Sequence, residues 1–129
     1  MADMRPKFPW LWLAVAVSST TLADTSLKND LVPLMTQRCV MCHITGAALA
    51  GLDLYTDPWT ALVGVQSTQS PLMLVEPHEP DKSYFYLKLT QKFLDAGGSG
   101  LQMPIQQEAL DPGQLEIVRS WIEEGAPNN

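Results

Sequence analysis

The sequence has few cysteines, little positive charge and no apolar run of membrane-spanning length. Only 2 of its 129 residues are cysteine, which excludes a dense disulfide scaffold and a four-cysteine zinc site. Its 8 basic residues face 14 acidic ones, so the net charge is −6, whereas binding to nucleic acid needs clustered basic side chains. Apolar residues make up 46%, too many for a disordered chain, and the length suits one domain.

The first residues follow the three-part pattern of a secretory signal peptide. Arg5 and Lys7 give a short positive region, an apolar run covers residues 8–17, and small residues lead to Ala23. The apolar run has about half of the ~20 residues that a membrane-spanning helix needs. We therefore predict a cleaved signal peptide over residues 1–23, export to the periplasm, and one domain over residues 24–129. The alternatives are an uncleaved anchor and a buried N-terminal helix.

Both cysteines belong to one short motif, Cys39-Val40-Met41-Cys42-His43. This is the C-x-x-C-H pattern of covalent haem attachment. Two thiols three residues apart can reach the two vinyl groups on one edge of a porphyrin, and His43 then supplies its imidazole to the iron. We therefore predict one haem c per chain, held by thioethers from Cys39 and Cys42.

Three other interpretations of this motif carry less weight. A chance match of the spacing with a following histidine is on the order of one in a thousand. A thioredoxin-like redox pair needs a strand running into Cys39, and residues 31–38 show no clear alternation. Zinc would have an unusual ligand set: Cys39, Cys42, His43 and perhaps His78.

The second axial ligand of the iron is predicted to be Met103. It follows a glycine-containing loop, and Pro104 bars a helix there, so the backbone can bend to place the sulfur over the iron. A methionine ligand raises the reduction potential of a haem. The other candidates are His78, Met73 and an open site. Met41 lies inside the attachment loop, and Met35 is close upstream on the same helix.

The sequence of the rest of the domain predicts helices separated by long loops. We expect a first helix from about residue 27 or 30 to residue 38, which delivers Cys39. A short helix should begin with Pro58 and end at Gly64, and another should run from a cap at Asp81 to about residue 93. Between the first two, we expect Leu52 and Leu54 to turn onto the haem edge.

The last helix has the clearest signals. Asp111 should cap it, Pro112 should take its first position, Gln114 should complete a capping box, and Gly125 should end it. Its apolar residues recur at helical spacing: Leu115, Ile117, Val118, Trp121 and Ile122. We expect this face to pack against the first helix.

Five segments carry a resemblance to a known family: Cys39-Val40-Met41-Cys42-His43, Gly51-Leu52-Asp53-Leu54, residues 75–83, Met103-Pro104 and Trp121-Ile122-Glu123-Glu124-Gly125-Ala126. In order, they resemble a small class I c-type cytochrome, and more narrowly the planctomycete-type cytochrome c-like domains. The family usually has glycine at His78 and a second proline at Ile105. The resemblance implies an all-α fold, with N- and C-terminal helices packed around one covalently bound haem. It also implies His43 and Met103 as axial ligands, and electron transfer.

These features predict an exported carrier of single electrons between two redox protein partners, a donor and an acceptor, rather than an enzyme. The acidic balance favours a partner with a basic patch, because complementary charge speeds encounter. One alternative is a cytochrome subunit of a larger oxidoreductase or membrane complex. Another is a haem protein with an open sixth position, such as a gas sensor or a peroxidase.

Overall fold

The computed structural model describes residues 24–129, and within that range the chain forms four α-helices and no β-strand. The helices are α1 (Val32–Arg38), α2 (Pro58–Leu62), α3 (Tyr84–Leu89) and α4 (Pro112–Glu123). Single helical turns cover Leu27–Leu31, Leu49–Gly51 and Pro80–Lys82. The all-α prediction is therefore confirmed for these residues. The predicted signal peptide lies outside them.

The predicted first helix is present as a π-helical turn, Leu27–Leu31, that leads directly into α1. Ser26 caps the turn, because its hydroxyl accepts a hydrogen bond from the Asn29 amide at 3.1 Å. At the other end, the Cys39 amide donates to the Met35 carbonyl at 2.8 Å. The segment therefore delivers Cys39 from a fixed helix end, as the sequence predicts.

Helix α4 forms with the predicted capping box. The Gln114 amide donates to the Asp111 carboxylate at 2.9 Å, and the Asp111 amide donates to the Gln114 side chain at 3.1 Å. Val118, Trp121 and Ile122 are buried on its inner face. This face packs against the Leu27–Leu31 turn and against α3. The predicted contact between the first and last helical segments is therefore present.

Helix α3 is shorter than predicted at both ends. It begins after Ser83, whose buried hydroxyl shares its hydrogen between the Glu76 and Glu79 carbonyls. Asp81 lies exposed in the Pro80–Lys82 turn instead of capping the helix. It ends before residue 93 because Gln91 adopts a φ of 65°, which a right-handed helix does not allow. The six residues of α3 are all buried.

Helix α2 forms as predicted: it starts at Pro58, and Gly64, with a φ of 69°, follows the C-cap Val63 and ends it. Asp57 caps it through the Thr60 amide at 3.1 Å, and Leu62 is fully buried at its end. The chain then doubles back, with isolated backbone bridges joining Val63 to Val75 and Gln66 to Met73. The returning segment is bonded to the start of α3, where the Tyr84 amide donates to the Met73 carbonyl and the Phe85 amide to the Leu74 carbonyl, both at 2.9 Å.

The beginning of the described chain is fixed beside α4. The Thr25 amide donates to the Glu124 carboxylate at 2.7 Å, and the Lys28 amide donates to the Asn129 carbonyl at 2.9 Å. Within residues 24–129, no helix is long and apolar enough to cross a membrane.

Candidate functional site: a cleft lined by both cysteines

A cleft of about 330 Å³, called the central cleft here, gathers segments from distant parts of the chain. Its walls come from residues 38–54, residues 61–74, α3 and residues 103–107. Much of the lining is apolar and includes Leu49, Leu52, Leu54, Val65, Leu74, Phe85, Leu89 and Ile105. A volume of this size and an apolar lining are typical of sites for small molecules and cofactors, which occupy ~300–1,000 Å³.

All four residues predicted to hold a haem line the central cleft. Cys39, Cys42 and His43 come from the segment after α1, and Met103 comes from the loop before α4. Together they present two thiols, an imidazole and a thioether sulfur to one space. Leu52 and Leu54, predicted to turn towards the same place, line it as well.

A tight turn fixes the segment that carries the two cysteines. The amides of Cys42 and His43 both donate to the Cys39 carbonyl at 3.1 Å. Beyond the turn, the Leu54 amide donates to the His43 carbonyl at 2.9 Å. Hydrogen bonds therefore fix the backbone of the segment that carries the imidazole and both thiols.

The Cys39 thiol lies in an environment that keeps it protonated. Burial raises its pKa to about 11, which outweighs the lowering by the Arg38 guanidinium, and the neighbouring Cys42 raises it further. Cys39 and Cys42 are both free, with no disulfide between them. Thioredoxin-like pairs have a lowered thiol pKa instead, so the surroundings of Cys39 differ from those of a redox dithiol.

The His43 side chain has an unsatisfied ring nitrogen. Its Nδ1 atom is buried and has no hydrogen-bond partner among the described residues. Buried polar atoms are nearly always bonded, and leaving one unpaired costs free energy. The described residues therefore leave this nitrogen without the hydrogen bond that its burial calls for.

The end of α3 positions Met103. The Met103 amide donates to the Lys88 carbonyl at 3.1 Å, and the Gln102 side chain donates to the Leu89 carbonyl at 2.9 Å. The last carbonyls of a helix have no partner inside the helix. The loop satisfies two of them, and in doing so it fixes the methionine at the wall of the central cleft.

The other four candidates for the second axial ligand lie elsewhere. Met35 is 2% exposed in the hydrophobic core, and Met41 is 84% exposed to solvent. Met73 is bridged through its backbone to Gln66. The His78 Nδ1 atom pairs with the Glu123 carbonyl at 2.9 Å, at the end of α4. None of the four lines the central cleft, so among these candidates only Met103 does.

Between residues 24 and 129, no three His, Cys, Asp or Glu side chains converge on a point suited to a metal ion. A structural zinc site would need four such ligands. A haem iron needs only axial ligands from the protein, and these include methionine as well as histidine. The imidazole of His43 and the thioether of Met103, which both line the central cleft, fit the needs of a haem iron and not those of a structural zinc ion.

Sequence reasoning missed Lys88, which also lines the central cleft. It is buried, unlike most lysines. The available signal was a single lysine inside the apolar run Tyr84–Leu89, four positions after Tyr84 and so on the same helix face.

Comparisons with known proteins give no match to a protein-family model, a curated protein or a solved structure. The resemblance to class I cytochromes therefore stays a prediction.

Proposed function

We propose that this protein is an exported c-type cytochrome with one haem, which carries single electrons between a donor and an acceptor protein. One observation carries the proposal. Cys39, Cys42 and His43, from one segment, and Met103, from a distant loop, line the same apolar cleft. Their residue types match the two thioether bonds and two axial ligands of such a haem.

The residues of the central cleft divide the work of holding the haem. Cys39 and Cys42 would bind its vinyl groups, each thiol adding its sulfur to one vinyl carbon and its hydrogen to the other. His43 and Met103 would ligate the iron, which supplies the one-electron chemistry. Apolar side chains around them exclude water, and the methionine sulfur favours the reduced iron. This protein would therefore hold and tune a haem without turning over a substrate.

Covalent attachment is the first test. The full chain is produced in a bacterial host that matures c-type cytochromes, denatured, and stained for haem on a gel. The wild-type chain should keep its haem, and a Cys39→Ala/Cys42→Ala variant should lose it. Wild-type protein that loses all haem on denaturation would contradict the proposal.

The second test identifies the sixth ligand. Met103→Ala should change the absorption spectrum and lower the midpoint potential, because methionine raises it. Met73→Ala and His78→Ala are matched controls, since neither residue lines the central cleft. A spectrum unchanged in Met103→Ala would contradict its assignment. Rapid binding of carbon monoxide by the wild type would instead favour an open sixth position, as in a sensor or a peroxidase.

Export and association are tested on the mature protein. Mass spectrometry should give an N-terminus at Asp24, the residue after the predicted cleavage site, in protein taken from the periplasm. A retained leader would favour a subunit of a membrane complex over a mobile carrier.

A further inference from the structure

Lys88 places an ammonium group inside the protein. Its side chain is only 7% exposed, and it lines the central cleft from α3. The Nζ atom donates to the Ser99 carbonyl. It also lies 4.1 Å from the centre of the Phe93 ring and 5.7 Å from that of Tyr84. Two aromatic faces and one carbonyl therefore surround the charge.

This ammonium has no anionic partner among the described residues. The ion pairs of residues 24–129 involve Lys82 and Arg119, and none includes Lys88. Lysines are almost never fully buried unless they are paired. An ammonium has three hydrogens to donate, and the Ser99 carbonyl accepts only one of them. The position therefore lacks a negative charge and further acceptors.

The other cation that lines the central cleft, Arg38, already has hydrogen-bond partners in the protein. The Arg38 guanidinium donates to the side chains of Gln107 and Gln114, both at 3.1 Å, and to the Glu108 carbonyl. Three of the five Arg38 N–H groups are used in this way, whereas only one of the three Lys88 ammonium hydrogens has an acceptor among the described residues. Lys88 is also the more buried of the two, so it is the cation whose charge is less well paired inside the cleft.

A polar cluster shares the Ser99 carbonyl with the Lys88 ammonium. The Tyr84 hydroxyl lies one helical turn earlier and is bonded to the Gln69 side chain at 3.3 Å. It also lies 3.5 Å from the same Ser99 carbonyl that Lys88 uses. Tyr84 and residues 67–69 line the central cleft beside Lys88. This polar cluster contrasts with the apolar lining elsewhere.

We propose that Lys88 binds a propionate carboxylate of the haem, with the Tyr84 hydroxyl and Gln69 beside it. This inference rests on the function proposed above. A haem carries two propionates on the edge away from its vinyl groups, and those vinyl groups are the ones that Cys39 and Cys42 would hold. The carboxylate is the counter-charge that the buried ammonium lacks, so cofactor and protein neutralise each other inside the cleft.

The test follows the propionates themselves. The full chain is matured in cells fed 5-aminolevulinate carrying ¹³C at its carboxyl carbon, which labels only the two propionate carboxyls of the haem. Carbon NMR of the reduced protein then gives the pKa of each propionate. In the wild type the two should titrate apart, because the one beside Lys88 stays ionised to lower pH. Two propionates that titrate together would overturn the proposal, and this comparison needs no variant.

Variants then identify the cation. In Lys88→Met, the lower of the two propionate pKa values should rise by about 1–3 pH units while the other stays constant. Lys88→Arg should keep it low, since the charge is retained. Lys92→Met is the matched control, because Lys92 is exposed in the turn after α3 and should change neither value. A merely structural Lys88 would alter stability in Lys88→Met and leave both propionates unchanged, which would also overturn the proposal.

The two proposals fail in different ways. A wild-type protein without covalent haem contradicts the electron carrier itself. A wild-type protein with haem, whose propionates do not respond to Lys88, contradicts only the role of Lys88.

Discussion

The hydrophobic core and the central cleft share the same helices but differ in completeness. In the core, Trp121 is fully buried and its indole nitrogen donates to the Pro127 carbonyl at 2.9 Å. In the cleft, the His43 Nδ1 atom has no partner and Lys88 has no counter-charge among the described residues. In the core, the polar atom of Trp121 has its hydrogen bond within the protein. Beside the cleft, polar and charged groups lack the partners that a bound molecule could supply.

This difference teaches where the fold reserves its binding capacity. Helix α1 contributes Met35 to the core, and the residue that follows α1, Cys39, lines the cleft. Helix α3 contributes Tyr86 to the core and Lys88 to the cleft. A domain of about 100 residues buries only about two-thirds of its unfolded surface. A large apolar cofactor would extend the core into the cleft and add burial that the chain alone does not supply.

The largest expected effect on stability comes from removing a buried side chain from the hydrophobic core. Trp121→Ala should lower the free energy of unfolding by about 3–5 kcal/mol, because the change empties a fully enclosed site. Urea unfolding followed by circular dichroism measures this. Glu116→Ala on the exposed face of α4 is the control and should change stability by less than about 0.5 kcal/mol. Equal effects of the two substitutions would refute a closed core around Trp121.

The next largest effect on stability is expected at Gly98, which packs against the cleft-lining residue Tyr84. A Cβ atom on Gly98 would lie 2.6 Å from the Phe93 carbonyl oxygen and 2.6 Å from a Tyr84 ring carbon. The Gly98 amide donates to that same carbonyl at 2.8 Å, so the backbone has little room to retreat. Gly98→Ala should therefore cost about 1–3 kcal/mol, as overpacking does. By displacing the Tyr84 ring, it should also shift the absorption spectrum of the proposed haem.

Gly113→Ala is the matched control for this substitution. It lies in the exposed first turn of α4, where a Cβ would meet only the Asp111 carboxylate, at 3.2 Å. Its stability change should be below about 1 kcal/mol in either direction. If Gly98→Ala proves as mild as Gly113→Ala, the close packing behind Tyr84 is wrong.

Much of the fold was predictable because its signals are local. The capping box of α4 needs only Asp111 and Gln114, three residues apart. The spacing of Cys39, Cys42 and His43 likewise indicates their chemistry without a structure. The two helix bounds that were wrong are the two ends of α3. At its start, the Ser83 hydroxyl bonds to the Glu76 carbonyl and not to the first turn of the helix, and propensity does not encode such a non-local contact.

The predicted site was incomplete for the same reason. Met103 was predicted from its loop, but the bonds that fix the loop run to the end of α3. Lys88 could not be assigned to the cleft, since its burial comes from Phe93 and Ser99 folding over it. His78 was an open candidate until its contact with the Glu123 carbonyl placed it away from the cleft.

A smaller effect is expected at the cap of α4, which lies between the core and the cleft. The Gln114 side chain accepts from both the Asp111 amide and the guanidinium of the cleft-lining Arg38, each at 3.1 Å. Asp111→Ala removes the cap of α4 and should cost about 1 kcal/mol in urea unfolding. Asp111→Ser keeps a capping oxygen and should recover most of it. A loss equal in both variants would mean that the carboxylate acts through something other than the cap.

The smallest expected effect concerns the loop that follows His43. The Asp53 carboxylate accepts hydrogen bonds from the Thr45 hydroxyl and from the backbone of Tyr55 and Thr56. These bonds lower its pKa to about 2, against the modest opposing effect of desolvation. An unfolded chain has an ordinary aspartate pKa of about 3.9. Because the folded value is the lower one, the stabilisation is present above about pH 4 and is lost as the pH falls towards 2.

Carbon NMR of the Asp53 carboxyl should therefore show a titration centred near pH 2. In Asp53→Asn, stability should fall less steeply than in the wild type between about pH 4 and pH 2, because one proton-linked group is gone. Asp95→Asn, in the exposed turn after α3, is the control and should keep the wild-type slope. The effect should be small since Asp53 lies on the surface, where water competes for its hydrogen bonds. An Asp53 carboxyl that titrates near pH 4 would mean that the loop beside the cleft is not held by this residue, unlike the self-satisfied core.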